Sequence, residues 1–275
     1  MKIYYVNHLS EQLVLTDGEF HTTEVNGISP YTDIQSKENA FRHGADYISE
    51  HINKRKISIM LFPEGDHDRA REKLSRIFRT GGEGRLYFDY GNGTIRSIRC
   101  RPEKINADLK ARPEEIQITL TALDPFFESE QKITVLHGDM GFLEFDDTWE
   151  IFDEDNILSE YGINSAVYSR GTQVSECIIK AVFSQACDGI KIINAGTSQH
   201  FKVRGAFLGG DTLLIDSEKK NVTLIRDGES TDITSRVEWG SVFPCISPPE
   251  TRFIVETSDT QPEVCVIFKE RFENI

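Results

Sequence analysis

With 275 residues and 38% hydrophobic content, including 17 Phe and 8 Tyr, the chain has apolar surface for packed cores and length for two domains, which excludes a disordered polypeptide. A net charge of −14 at pH 7 disfavours nucleic acid as a partner, because phosphates are bound where Lys and Arg displace counterions. The longest apolar runs, such as Ile57 to Phe62, fall far short of the roughly 18 residues of a membrane span, and the N-terminus turns polar too soon for a signal peptide.

In chain order, the first expected elements are a strand over Lys2 to Val6 and strands over Tyr47 to Ile52 and Lys56 to Phe62. A helix is expected over Asp66 to Thr80. Asp66 and Asp68 suit the positive end of its dipole, Ala70, Leu74, Ile77 and Phe78 fall on one face, and Gly81-Gly82 ends it. A hairpin follows, Arg85 to Tyr90 with Thr94 to Arg101, around Gly91-Asn92-Gly93. Glu114 to Leu123 places Ile116, Ile118, Leu120 and Ala122 on one side with the period of a half-buried strand. These strands are expected to form one sheet covered by the helix.

Asp124-Pro125-Phe126-Phe127 then interrupts the pattern, and the charge changes there. The net charge is −1 up to Phe127 and −13 from Glu128 onward. This marks a boundary between two domains, 1–127 and 128–275. The second half shows no convincing amphipathic helix. It shows short apolar runs at Lys132 to Leu136, Ser175 to Phe183, Gly189 to Asn194, His200 to Arg204, Asp211 to Ser217, Asn221 to Arg226, Arg252 to Thr257 and Val264 to Phe268. Gly, Asn, Asp, Ser and Pro turns separate them, which indicates an antiparallel sandwich.

Groups that could carry chemistry have simpler explanations. Glu64-Gly65-Asp66-His67-Asp68 gathers three carboxylates and an imidazole, yet the start of the helix accounts for the aspartates. The acidic run Glu144 to Asp155 could hold calcium, but from neither Asp146 nor Asp153 does it supply the glycine and terminal Glu of an EF-hand loop. Gly205 to Asp211 is glycine-rich but precedes a strand, so it reads as a hairpin turn and not a phosphate loop. Cys100, Cys177, Cys187, Cys245 and Cys265 lack ligand spacing and are read as reduced, mostly buried thiols. His8, His21, His43, His51, His67, His137 and His200 are dispersed, and the phosphate-loop, zincin and hydrolase-elbow motifs are missing. No catalytic, cofactor-binding or metal-binding residues are therefore expected, and no cofactor. Trp149 and Trp239 are possible sugar-stacking platforms, but core or interface positions are the preferred reading.

Three stretches of the second half carry a resemblance: Gly189 to Gly205 with Asn194, Thr197 and Gln199; Gly210-Asp211 through Ile215-Asp216; and the closing strand with Phe268, Arg271 and Phe272. Together with Leu123-Asp124-Pro125-Phe126-Phe127, they are similar to the distal tail proteins of siphophages. One departure is Ser247-Pro248-Pro249-Glu250-Thr251, where that family commonly has a Pro-Gly-x-Asn turn, and residues 137–176 match least. The resemblance implies a mainly β protein, with a split-barrel-like α+β first domain that forms a ring and a galectin-like antiparallel β-sandwich second domain. It further implies a non-enzymatic hexameric ring of the virion tail tip, made in the bacterial host cytoplasm. The implied partners are the major tail tube protein and the tail-associated hub protein, with receptor-binding or baseplate proteins at the periphery and neither nucleic acid nor membrane insertion. The alternative function is a carbohydrate-binding module assisting adhesion to the host surface.

Overall fold

A computed structural model describes residues 1–38, 43–79, 81–108, 115–136, 163–258 and 261–275. The protein is mainly β, and its strand pairs are antiparallel. Two compact units emerge, Met1–Glu130 with Arg271–Ile275, and Gln131–Glu270. The last five residues thus belong with the first unit, although the sequence alone assigns them to the second half.

The first unit contains β1 (Lys2–Val6), β2 (Gln12–Val14), β3 (Phe20–Asn26), β4 (Thr32–Glu38), β5 (Ala45–Ile52), β6 (Arg55–Pro63), α1 (His67–Ile77), β7 (Gly84–Asp89), β8 (Ile95–Asp108) and β9 (Glu115–Ala122). It also holds the start of β10 (Phe127–Leu136). Strand β8 joins its two halves. Its first part, through Cys100, pairs with β7, and from Arg101 it pairs with β9 across an irregularity between Pro102 and Lys104. Beyond these partners, β7 continues to β1 and β2, and β9 continues to β6 and β3. Period-2 burial along β6, β7 and β9 sends Ile57, Ile59, Leu61, Leu86, Phe88, Ile116, Ile118 and Leu120 into one core.

Helix α1 closes that core with Ala70, Leu74 and Ile77, while the Phe78 ring stacks on Tyr5 at 4.4 Å between centroids. It stops at Ile77, before the expected Thr80, because the Phe78 amide still reaches Leu74 O but the backbone there has already left helical values. Gly81 then takes a positive φ of 90°, which suits the glycine.

The expected place of Tyr47 to Ile52 in the helix-covered sheet is corrected. This stretch lies in β5, which pairs with β4 in a separate two-stranded sheet. Polar and apolar side chains along it do not sort into a buried and a solvated face, so it has no core side to offer the main sheet.

The second unit contains the remainder of β10, then β11 (Ile163–Tyr168), β12 (Ser175–Val182), β13 (Cys187–Asn194), β14 (His200–Phe207), β15 (Thr212–Asp216), β16 (Asn221–Arg226), β17 (Glu229–Asp232), β18 (Cys245–Ile246), β19 (Glu250–Thr257) and most of β20 (Glu263–Phe272). One sheet runs β17-β16-β15-β12-β20, with β18 on β12, and the other runs β11-β19-β13-β14. Ile179, Ile215 and Val266 of the first meet Ile192, Val203 and Val255 of the second in a single core. Phe183 and Phe207 stack within it at 4.6 Å. This is the expected sandwich, since each sheet has one apolar face to bury.

Candidate assembly surface

The Glu64 to Asp68 cluster is taken up by structure. Asp66 Oδ1 accepts from the Asp68 and Arg69 amides at 3.0 and 3.2 Å, His21 Nε2 lies 2.6 Å from Glu64 Oε1, and Asp68 pairs with Arg71. Among the described residues no group of three or more His, Cys, Asp or Glu side chains could hold a metal ion. The acidic run Glu144 to Asp155, with Trp149 and His137, lies outside the described residues.

The residues that carry the resemblance build turns and a clamp. Asn194 ends β13 and folds the next turn onto itself, with its Oδ1 accepting from the Gly196 and Thr197 amides at 3.0 and 3.3 Å. Asp211, only 2% exposed, accepts from the Leu208 amide at 2.7 Å and from Arg226 Nε at 2.8 Å. Arg226, followed by the Leu208 amide, holds its carboxyl below the usual carboxylate range. Asp216 ends β15 in the same manner, accepting from the Glu218 and Lys219 amides at 3.0 and 2.9 Å. The Gly205 to Asp211 stretch is the end of β14 and a hairpin turn. In the divergent corner, the Thr251 hydroxyl donates to Ser247 O at 3.1 Å and accepts from the Ser247 amide at 2.7 Å.

In the first unit the clamp centres on Arg55, 4% exposed at the start of β6. Its guanidinium donates to Pro125 O at 2.7 Å, Glu273 O at 2.6 Å, Ile28 O and Gly27 O, and lies 4.7 Å from the Phe127 ring centre. Burial pulls it down to about 10, so it remains charged at neutral pH. Arg271 pairs with Asp124 and sits over Phe126, while Arg96 lies over Phe272. Asp124 to Phe127 and the chain's last residues, far apart in sequence, are therefore one structural feature. Sequence reading found both segments but missed Arg55, whose carbonyl partners leave no pattern in the chain.

The clearest surface for assembly is the β4–β5 hairpin. Ile34 and Tyr47 are 60% and 63% exposed, and Tyr31 and Ile48 are exposed beside them. A two-stranded ribbon is at best marginally stable in water without a covered face, and exposed apolar residues grouped on it mark a contact surface.

The Trp239 side chain is 98% exposed, which rules out the core position and leaves the interface position of that expectation. Its loop is held to the outer edge of β14 by the Glu238 amide on Lys202 O and the Val242 amide on His200 O, both 2.9 Å, which leaves the indole on the solvent side.

Comparison with known proteins extends the sequence resemblance. The family model described as siphovirus-type tail component, C-terminal domain, matches residues 170–272. A search of curated proteins found no match. Among solved structures, SPP1 Dit, described as a paradigm of hub adsorption apparatus in Gram-positive infecting phages, aligns with a TM-score of 0.74 and 17% identity. That alignment covers 98% of this chain and 99% of that one. A chain of the phage P2 baseplate in its activated conformation with Ca aligns at TM-score 0.56 and 5% identity over all of both chains. The corresponding Sr structure gives 0.54 and 6%, covering 100% of this chain and 99% of that one.

Proposed function

We infer that this chain, a siphophage distal tail protein whose residues 170–272 match the siphovirus-type tail component domain, forms a hexameric ring joining the tail tube to the tail-tip hub. The observation that carries this reading is the coincidence of that family match with a fold shared over nearly the whole length of SPP1 Dit. In this reading residues 1–127, joined by the chain's last five residues, form the ring, and the rest of 128–275 forms an acidic, galectin-like sandwich that meets receptor-binding or baseplate proteins.

Two features support the division. Near-neutral charge in the first 127 residues allows identical copies to approach without accumulating repulsion, whereas −13 beyond them favours the outside of a ring. The β4–β5 hairpin offers apolar side chains that a neighbouring copy would cover. The role is structural and non-enzymatic, exercised in the virion after synthesis in the host cytoplasm.

Electron microscopy and light scattering of the full-length protein, alone and mixed with the tail tube and hub proteins of the same phage, test the reading. Six-fold rings are expected. A protein that stays monomeric in every mixture and is not found in purified tails would overturn it.

A further inference from the structure

The loop that carries Trp239 has the makings of a small ligand site, independent of ring formation. The indole, 98% exposed, borders a depression of about 630 Å³ lined by Arg204, Gly205, Ser235, Arg236, Val237 and Glu238. Arg236 also lines a second depression, of about 490 Å³.

The carboxylate of this place is held before any ligand arrives. Glu238 Oε2 receives Arg204 Nε at 2.7 Å and Arg204 Nη2 at 2.6 Å, with Lys202 Nζ at 3.2 Å. Arg204 and then Lys202 keep the carboxyl below its ordinary range, so it is an acceptor at neutral pH. Its second oxygen, Oε1, has no partner among the described residues, and Arg236 forms no ion pair among them. The backbone is fixed as well. Val237 bridges Val203, the Lys202 amide donates to Ser241 Oγ at 3.1 Å, and Gly240 turns the chain with a φ of 86°. Gly205, at φ 116°, leaves room for Arg236, since a Cβ there would come within 3.3 Å of its Nη1.

We propose that this site binds a saccharide, with a sugar ring stacked on Trp239 and its hydroxyls held by Glu238 Oε1, Arg204 and Arg236. A sugar ring presents a face of C–H groups that packs on an aromatic plane, and an edge of vicinal hydroxyls that suits planar carboxylate and guanidinium groups. A protein contact is the less fitting occupant. Trp and Arg also anchor protein interfaces, but the centres of those interfaces are otherwise depleted of charge, whereas this shallow depression sets the Glu238 carboxylate and two guanidinium groups beside the indole.

The test uses full-length protein labelled with 5-fluorotryptophan, its Trp239 resonance assigned by Trp239→Phe. Maltotriose, N-acetylglucosamine trimer and galacturonate trimer are titrated as probes, with inorganic phosphate as the ionic control, beside a glycan array. We expect at least one saccharide to shift the Trp239 resonance saturably, with binding abolished by Trp239→Ala and weakened at least fivefold by Arg236→Gln. The exposed Trp239→Ala variant should keep the wild-type melting temperature. A neutral probe that binds points to hydroxyl recognition, and an acidic one that binds more tightly points to Arg236 as the selector. The proposal is overturned if no glycan binds on the array or in titration, if Trp239→Ala binds equally, or if phosphate alone reproduces the shift. It is equally overturned if the resonance responds only to protein concentration or to added tail proteins.

Discussion

Arg55 donates a hydrogen bond to the backbone carbonyl of Glu273 at 2.6 Å, across 218 positions of sequence. The same guanidinium binds Pro125 O, so the segment that ends the first 127 residues and the segment that ends the chain share one buried cation. Carbonyl oxygens aimed at a common point inside a core need such a donor, because each would otherwise be buried without a partner.

Replacing Arg55 with Met keeps the bulk and removes every donor. We expect a loss of about 3 kcal/mol, since several buried carbonyls lose a charged partner at once. Hydrogen exchange measured by mass spectrometry locates the effect: amides of β6 and β9 should lose protection, while those of β13 and β19 keep theirs.

The β4–β5 hairpin should matter for assembly and little for folding. Ile34→Asp with Tyr47→Asp changes two exposed side chains, so stability is expected to stay within about 0.5 kcal/mol per substitution. Rings seen by electron microscopy should disappear. Unchanged rings would show that the hairpin is not a subunit contact.

Asp211 makes the second unit sensitive to acid. Its carboxyl titrates lower in the fold than in the unfolded chain, because Arg226 and the Leu208 amide favour the charged form. The stabilisation is therefore complete above the unfolded value of about 3.9 and is lost as pH falls through the lower folded value. Asp211→Asn should cost about 1–3 kcal/mol near pH 7, and the difference from wild type should narrow as pH drops below about 4 in urea titrations.

Thiol chemistry should separate the cysteines. Burial pushes Cys100 and Cys177 up to about 12, so neither offers an accessible thiolate at pH 8. With a disulfide-exchange reagent, native protein should leave these two unmodified, and denatured protein should react at all five positions, which are all free thiols.

What the amino-acid sequence by itself determined is local. Asp66 as the cap of α1, the alternation of β6 and β9, the Gly91-Asn92-Gly93 hairpin turn and the side-chain-locked turns at Asn194 and Asp216 each depend on neighbours within a few residues. Their periodicity and turn chemistry are visible in the chain. Distant partners decided the rest. Only tertiary structure joins Arg55 to Glu273 and sends the last five residues back to the first unit. It also detaches β4–β5 from the helix-covered sheet and turns Trp239 outward, because burial and long-range pairing are set by which surfaces find one another, not by the residues beside them.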